Sequence, residues 1–206
     1  MKTSFSRVAT VVALALAVVA PAAHAQAKEG SFVVRLRALH LDSANKDTTG
    51  LGLSINNKTF PELDISYFIT PNIAAELILT YPQKHTLYSN GNEIGTLKHL
   101  PPTLTVQYHL PMGDFRPYAG LGLNATNFSD VQFSPAVVSA LHPNVKRMSY
   151  GAAAQIGADY AIGGGWLLNF DVKKVQIKTK VYSGTTEAGT FKVDPLLVSV
   201  GFGKRF

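Results

Sequence analysis

The sequence contains no cysteine, which excludes disulfide frameworks, thiolate metal sites and cysteine nucleophiles. It also lacks any uninterrupted apolar run of the roughly 18 or more residues that a transmembrane helix needs. A membrane-embedded form is therefore confined to a closed β-barrel, because only helices and closed barrels satisfy every backbone polar group in lipid. Charged residues are scarce, 16% of the 206 positions against 46% hydrophobic, and disordered chains show the reverse balance. The formal charge is +6, yet no basic run exceeds Lys173-Lys174 or Lys146-Arg147. The clustered basic face that nucleic-acid binding requires is absent. No G-x-S-x-G elbow, H-E-x-x-H, P-loop or dinucleotide fingerprint occurs. His40, His85, His99, His109 and His142 are scattered without metal-ligand spacing. No catalytic, cofactor or metal-binding residue is expected.

What is present begins with an export address. Lys2 and Arg7 form a basic start, Val8 to Ala20 is apolar but for Thr10, Pro21 breaks the run, and Ala23-His24-Ala25 has the small-x-small pattern of a cleavage site. The expectation is a signal peptide over 1–25, cut after Ala25, and one outer-membrane β-barrel domain over 26–206. Loss of Lys2 and Arg7 lowers the charge from +6 to +4.

From Ser31 onward the hydrophobic pattern has period two. Membrane strands read as segments of about ten residues, apolar outward and polar inward. Ser31 to Leu41 sets Phe32, Val34, Leu36 and Ala38 against Arg35 and Arg37. Thr59 to Ile69 sets Leu63, Ile65 and Tyr67 against Glu62, Asp64 and Ser66. Further segments of this kind start at Ile73, near His99, at Phe115, at Met148, at Trp166 and near Leu196. The count is eight, an even number. Short joints at 70–72, 111–114 and 161–165 alternate with long polar ones at 42–58, 82–98, 128–147 and 181–190. The expected fold is all-β: an eight-stranded antiparallel transmembrane up-and-down barrel with both termini in the periplasm.

The aromatics agree. Phe32, Tyr67, Tyr108, Tyr160, Trp166 and Phe206 take outward positions near one rim, and Tyr81 and Tyr150 near the other, as headgroup belts require. A soluble barrel of opposite polarity would have to bury Arg35, Arg37, Glu62, Asp64, Asp171 and Lys173 in an apolar core, at high cost.

Several stretches together resemble the OmpW family of small outer-membrane barrels. They are His99-Leu100-Pro101-Pro102-Thr103, Phe115-Arg116-Pro117-Tyr118-Ala119-Gly120-Leu121-Gly122-Leu123-Asn124, Trp166-Leu167-Leu168-Asn169, Asp194-Pro195 and Gly203-Lys204-Arg205-Phe206. Where many relatives carry an aromatic after the seventh-strand segment, this chain has Lys173-Lys174. The resemblance implies a barrel in the Gram-negative outer membrane that takes up small hydrophobic compounds and releases them sideways into the bilayer. It also implies that Phe206 serves as the signal read by the barrel-assembly machinery.

The interior of an eight-stranded barrel is just wide enough for side chains to fill. Arg35, Arg37, Glu62, Asp64, Glu76, Asp171 and Lys173 are expected to pair into a polar plug. Leu39, Leu41, Phe60, Ile78, Val175 and Ile177 have inward parity nearer the loops. They either line an apolar chamber open to the outside or merely cap the core. Pro61, Pro101 and Pro102 donate no ladder hydrogen bond and mark a candidate lateral opening. Two roles compete: a conduit or binding protein for hydrophobic molecules, and a structural or adhesive barrel whose loops contact phage, toxin or host. The expected partners are outer-membrane lipid and lipopolysaccharide, the assembly machinery and a small hydrophobic ligand, with no nucleic acid.

Overall fold

The computed structural model describes residues 28–206; the expected leader and its cleavage point lie outside the described residues. Fifteen strands and one short helix follow in chain order. They are β1 (Phe32–Asp42), β2 (Lys46–Asp47), β3 (Leu53–Ile55), β4 (Lys58–Phe68), β5 (Ile73–Leu79), β6 (Gln83–Ser89), β7 (Asn92–Leu100) and β8 (Thr103–His109). After these come β9 (Phe115–Phe133), α1 (Pro135–Leu141), β10 (Pro143–Val145), β11 (Met148–Gly163), β12 (Trp166–Val175), β13 (Lys178–Ser183), β14 (Thr186–Lys192) and β15 (Leu196–Arg205).

Eight of the strands close a ring in the order β1-β4-β5-β8-β9-β11-β12-β15, every neighbour antiparallel, with β15 returning to β1. Closure removes the unpaired edges that lipid cannot hydrogen-bond. The period-two pattern decides which face looks inward. Along β12, Leu167, Asn169, Asp171, Lys173 and Val175 are buried while Trp166, Leu168 and Phe170 are exposed. Leu36, Leu121, Leu123 and Val200 are 61–73% exposed, and a continuous apolar band of that kind is stable only against hydrocarbon.

The aromatic belts form as the pattern implies: Phe32, Tyr67, Tyr108, Trp166 and Phe206 are exposed at the end carrying the short turns, and Tyr81 and Tyr150 at the other. The chain ends meet there too, since the Phe32 and Phe206 amides each donate to the other's carbonyl at 3.2 and 2.9 Å. The turn at Gly163-Gly164-Gly165 has three consecutive positive φ angles, 95°, 57° and 80°, which glycine adopts without steric cost.

The long joints differ from the expectation of polar loops. The β6–β7 hairpin packs onto the upper half of β9, β3 adds to β6, and β10-β13-β14-β2 form a second small sheet. Within them Ile55, Leu87, Leu97, Val145, Val181 and Phe191 turn inward and join Leu39, Leu41, Phe60 and Phe128 in one apolar core. Those inward positions alternate with polar ones, so overall polarity hid short half-buried strands. The segment read as one strand starting near His99 is in fact divided between two. β7 ends at Leu100 and β8 begins at Thr103, because Pro101 and Pro102 have no amide hydrogen to continue a ladder.

Candidate functional site

The barrel lumen is organised in two levels, a belt of charge and an apolar level above it toward the long joints. β1 contributes Arg35 and Arg37, which sit directly across the ladder from Asp64 and Glu62 of β4. Cross-strand register thus places opposite charges on one inward face. Arg35 spans the lumen. Its Nε and Nη2 donate to the two Asp159 carboxylate oxygens at 2.9 and 2.6 Å, a bidentate pair, and its Nη1 reaches Ser66 Oγ at 2.7 Å and Glu76 at 3.3 Å.

Arg37 pairs with Asp64 and with Glu62 at 3.1 Å, donates to Asn169 Oδ1 at 3.0 Å and lies 3.5 Å from Asp171. Lys173 Nζ bridges Glu62 at 2.7 Å and Asp171 at 3.0 Å. Gln107 and Gln155 each donate to Glu76 Oε2, at 2.6 and 2.8 Å, and the Tyr118 hydroxyl donates to Asp171 at 2.9 Å.

All seven residues expected in the belt are brought together and buried. Asp159 is not among the residues expected in the plug. It makes the bidentate contact with Arg35 from the far wall, 124 residues away, and only barrel closure brings the two together. Tyr118, Asn169, Gln107 and Gln155 were missed for the same reason. His109 is a core residue: its Nε2 lies 2.9 Å from Gln107 Oε1 and its ring 4.9 Å from Phe68 and from Tyr118.

One glycine is required by this belt. A side-chain carbon at Gly157 would collide with the Tyr118 hydroxyl and with the Phe170 carbonyl oxygen of β12. Gly157→Val is therefore expected to expel Tyr118 from Asp171 and Asn169 and to destabilise the barrel by about 1–3 kcal/mol. Denaturant midpoints in lipid vesicles measure this, and a wild-type midpoint would show that both Tyr118 and the β12 backbone give way without cost.

Above the belt, Leu39, Leu41, Phe60, Ile78, Val175 and Ile177 surround one cavity whose floor is Glu62 and Lys173. The six come together around this space. Their side chains fill most of the space, for the cavity is about 20 Å³, close to the room one water needs. A ligand must therefore push this level apart to enter. The cavity wall on one side is Pro101, Thr103 and Asn124.

Immediately outside that wall lies a lipid-facing groove of about 580 Å³ lined by Leu77, Pro102, Thr103, Leu104, Leu123, Asn124 and Tyr150 among others. A larger groove of about 780 Å³ over Ala119, Leu121, Ala154 and Ile156 also lies on the lipid-facing side.

The Ala125 amide of the neighbouring strand donates to the Pro102 carbonyl at 3.1 Å, and side chains fasten the proline carbonyls further. Asn124 Nδ2 donates to the Pro101 and Pro102 carbonyls at 3.2 and 3.0 Å and to Thr103 Oγ1 at 2.8 Å, while its Oδ1 accepts from Thr126 at 2.6 Å. On the neighbouring strands, Thr80 Oγ1 donates to the Pro61 carbonyl at 3.1 Å, above the last β4–β5 pair at Leu63 and Leu79. The three candidate prolines thus flank a stretch of wall where side-chain hydrogen bonds supplement a thinned backbone ladder.

A barrel that turns its apolar residues outward and hides its charges in the lumen is built for lipid, and this one is an outer-membrane β-barrel protein. The chain belongs to the OmpW family, whose pattern matches residues 28–206. It is 33% identical to outer membrane protein W of Vibrio cholerae over 87% of this chain and 90% of that one. It is 35% identical to outer membrane protein W of Escherichia coli over 75% of this chain and 76% of that one. The crystal structure of OprG from Pseudomonas aeruginosa superposes with a TM-score of 0.75, at 27% identity, covering 87% of this chain and 97% of that chain.

Proposed function

We propose that this barrel binds small hydrophobic molecules at its loop-side end and releases them sideways into the membrane. The observation that carries the reading is the shared wall: Thr103 and Asn124 line both the inner apolar cavity and the outer lipid-facing groove. A molecule in the cavity is one side-chain layer from hydrocarbon. Downward passage would have to break the Arg37 and Lys173 ion pairs, and stripping a buried charge of its partner costs about 3–5 kcal/mol. Sideways movement breaks only neutral hydrogen bonds, worth about 0.5–1.5 kcal/mol each. Apolar contact supplies the binding energy, about 25 cal/mol per Å² of ligand surface buried.

The test is uptake of a hydrophobic compound by cells carrying Ile78→Arg or Phe60→Arg. Either guanidinium would occupy the cavity and is expected to abolish uptake. Unchanged uptake at normal surface expression would sink the reading.

The small cavity favours a second reading, in which the ordered extracellular sheets act as a surface that phage, toxin or host molecules contact. Under either reading residues 1–25 form a leader removed after Ala25. Phe206, 73% exposed at the outer face, is then positioned for the assembly machinery, and lipid and lipopolysaccharide surround the wall.

A further inference from the structure

We propose that Gln83, His85 and His99, on the β6–β7 hairpin above the cavity, form a binding site for one divalent transition-metal ion of the zinc or copper type. The proposal is independent of the transport reading. Gln83 pairs with His99 across the hairpin and His85 pairs with Leu97. Period two therefore sets Gln83 and His85 on one face of β6, with His99 facing them from β7. All three are buried, and the two imidazole rings stack with centroids 4.6 Å apart and 22° between their planes, so they lie side by side and one must turn about its Cβ–Cγ bond for both lone pairs to meet a single ion.

Each side chain has a ligand atom left over. His85 Nδ1 lies 3.0 Å from the Asn56 carbonyl oxygen and donates its hydrogen there, so the lone pair sits on Nε2, which has no partner. A ring hydrogen anchored on a backbone carbonyl, with the opposite nitrogen free, is the arrangement that orients histidine metal ligands. The Gln83 amide nitrogen donates to the Tyr81 carbonyl at 3.0 Å, and its Oε1 has no partner. His99 has a partner at neither ring nitrogen. Buried polar atoms are ordinarily satisfied, and a cluster of exceptions on one face calls for a water or an ion. Two imidazole nitrogens and an amide oxygen suit zinc or copper(II), with solvent completing the shell.

The protonation state agrees with the geometry. Burial, then the neighbouring ring, then Lys58 push His99 down to about 3, and burial together with Lys58 lowers His85, against the donation to Asn56. Neutral imidazole is the form that ligates. The Lys58 ammonium, held on the Lys84 carbonyl at 3.1 Å, opposes a dication and limits affinity. No carboxylate is needed in this site. Scattered sequence positions gave no spacing signal because the ligands lie on two strands joined by a turn.

The experiment uses the untagged mature chain folded in detergent, titrated with copper(II) followed by electron paramagnetic resonance, and with zinc against a competing chelator. One equivalent is expected, with nitrogen hyperfine structure from two imidazoles. His85→Asn and His99→Asn are each expected to weaken binding tenfold or more, and Lys58→Gln to tighten it severalfold. Barrel folding of each variant is checked by its heat-dependent gel migration. If a histidine variant does not fold, Gln83→Leu and Lys58→Gln decide the matter by weakened and tightened affinity. Absence of saturable binding, or full binding by His85→Asn/His99→Asn, or affinities untouched by both Gln83→Leu and Lys58→Gln, would overturn the site.

Discussion

Replacing Arg37 with methionine is expected to lower the unfolding free energy by about 3–5 kcal/mol, the cost of removing one partner from a buried ion pair. Methionine keeps much of the volume but none of the charge. Glu62, Asp64 and Asp171 would lose their shared cation, leaving Lys173 alone against Glu62 and Asp171. Water is then expected to enter the lumen to solvate the carboxylates, and single-barrel conductance in planar bilayers should rise from near zero with preference for cations. Denaturant titration in lipid vesicles gives the stability. Arg37→Met/Asp64→Asn should recover part of the loss, because a neutral replacement of the whole pair is far cheaper than half of it. A wild-type midpoint and an unchanged conductance in Arg37→Met would mean that the belt neither stabilises nor seals the barrel.

The second large effect is expected at Asn124. Asn124→Ala removes donations to Pro101, Pro102 and Thr103, and at about 1 kcal/mol net for each hydrogen bond the wall loses roughly 1–3 kcal/mol. Every 1.4 kcal/mol is tenfold in an equilibrium, so the open fraction of the wall should rise by about one to two orders of magnitude. Amide hydrogen exchange at Thr103, Leu104 and Ala125 should speed up by that factor while exchange at Arg35 and Arg37 stays slow. Uptake of a hydrophobic compound should rise in the same variant and fall in Ile78→Arg. Thr80→Ala should act in the same direction by a smaller amount, since it holds one carbonyl rather than two. Slow exchange at all of these amides would show that the ladder of β8 and β9 holds the wall without Asn124.

Faster exchange without faster uptake would separate a loosened wall from a transport route. That outcome would favour the receptor reading, in which the upper sheets matter and the cavity does not. The metal site stands apart from both, because its ligands belong to one hairpin and its test reads binding rather than uptake.

Much of the barrel is legible in the chain because alternation is a local property. Phe32, Val34 and Leu36 against Arg35 and Arg37 announce one strand with two unlike faces, and the same can be read at Leu63 against Asp64 and at Leu168 against Asp171. The short turns are equally local, as Gly163-Gly164-Gly165 illustrates. The upper joints were less legible because their strands are short, with β2 at two residues and β3 at three. A few alternations inside a polar stretch do not stand out from loop composition. The same holds for Pro101-Pro102, where the residues argued for a break but the segment around them still alternated.

The number of membrane strands, the face each turns to lipid, the positions of the aromatic belts and the chemical types gathered in the lumen are all written in the order of residues along the chain. All of these follow from a side-chain period of two and from the cost of placing charge in hydrocarbon. Which charges pair, that Asp159 completes the grip on Arg35, that the apolar level is nearly filled and that Asn124 fastens the proline gap emerge only in the closed barrel. Those outcomes depend on closure of the ring and on how far side chains reach across a lumen about as wide as themselves, distances set between residues far apart in the chain.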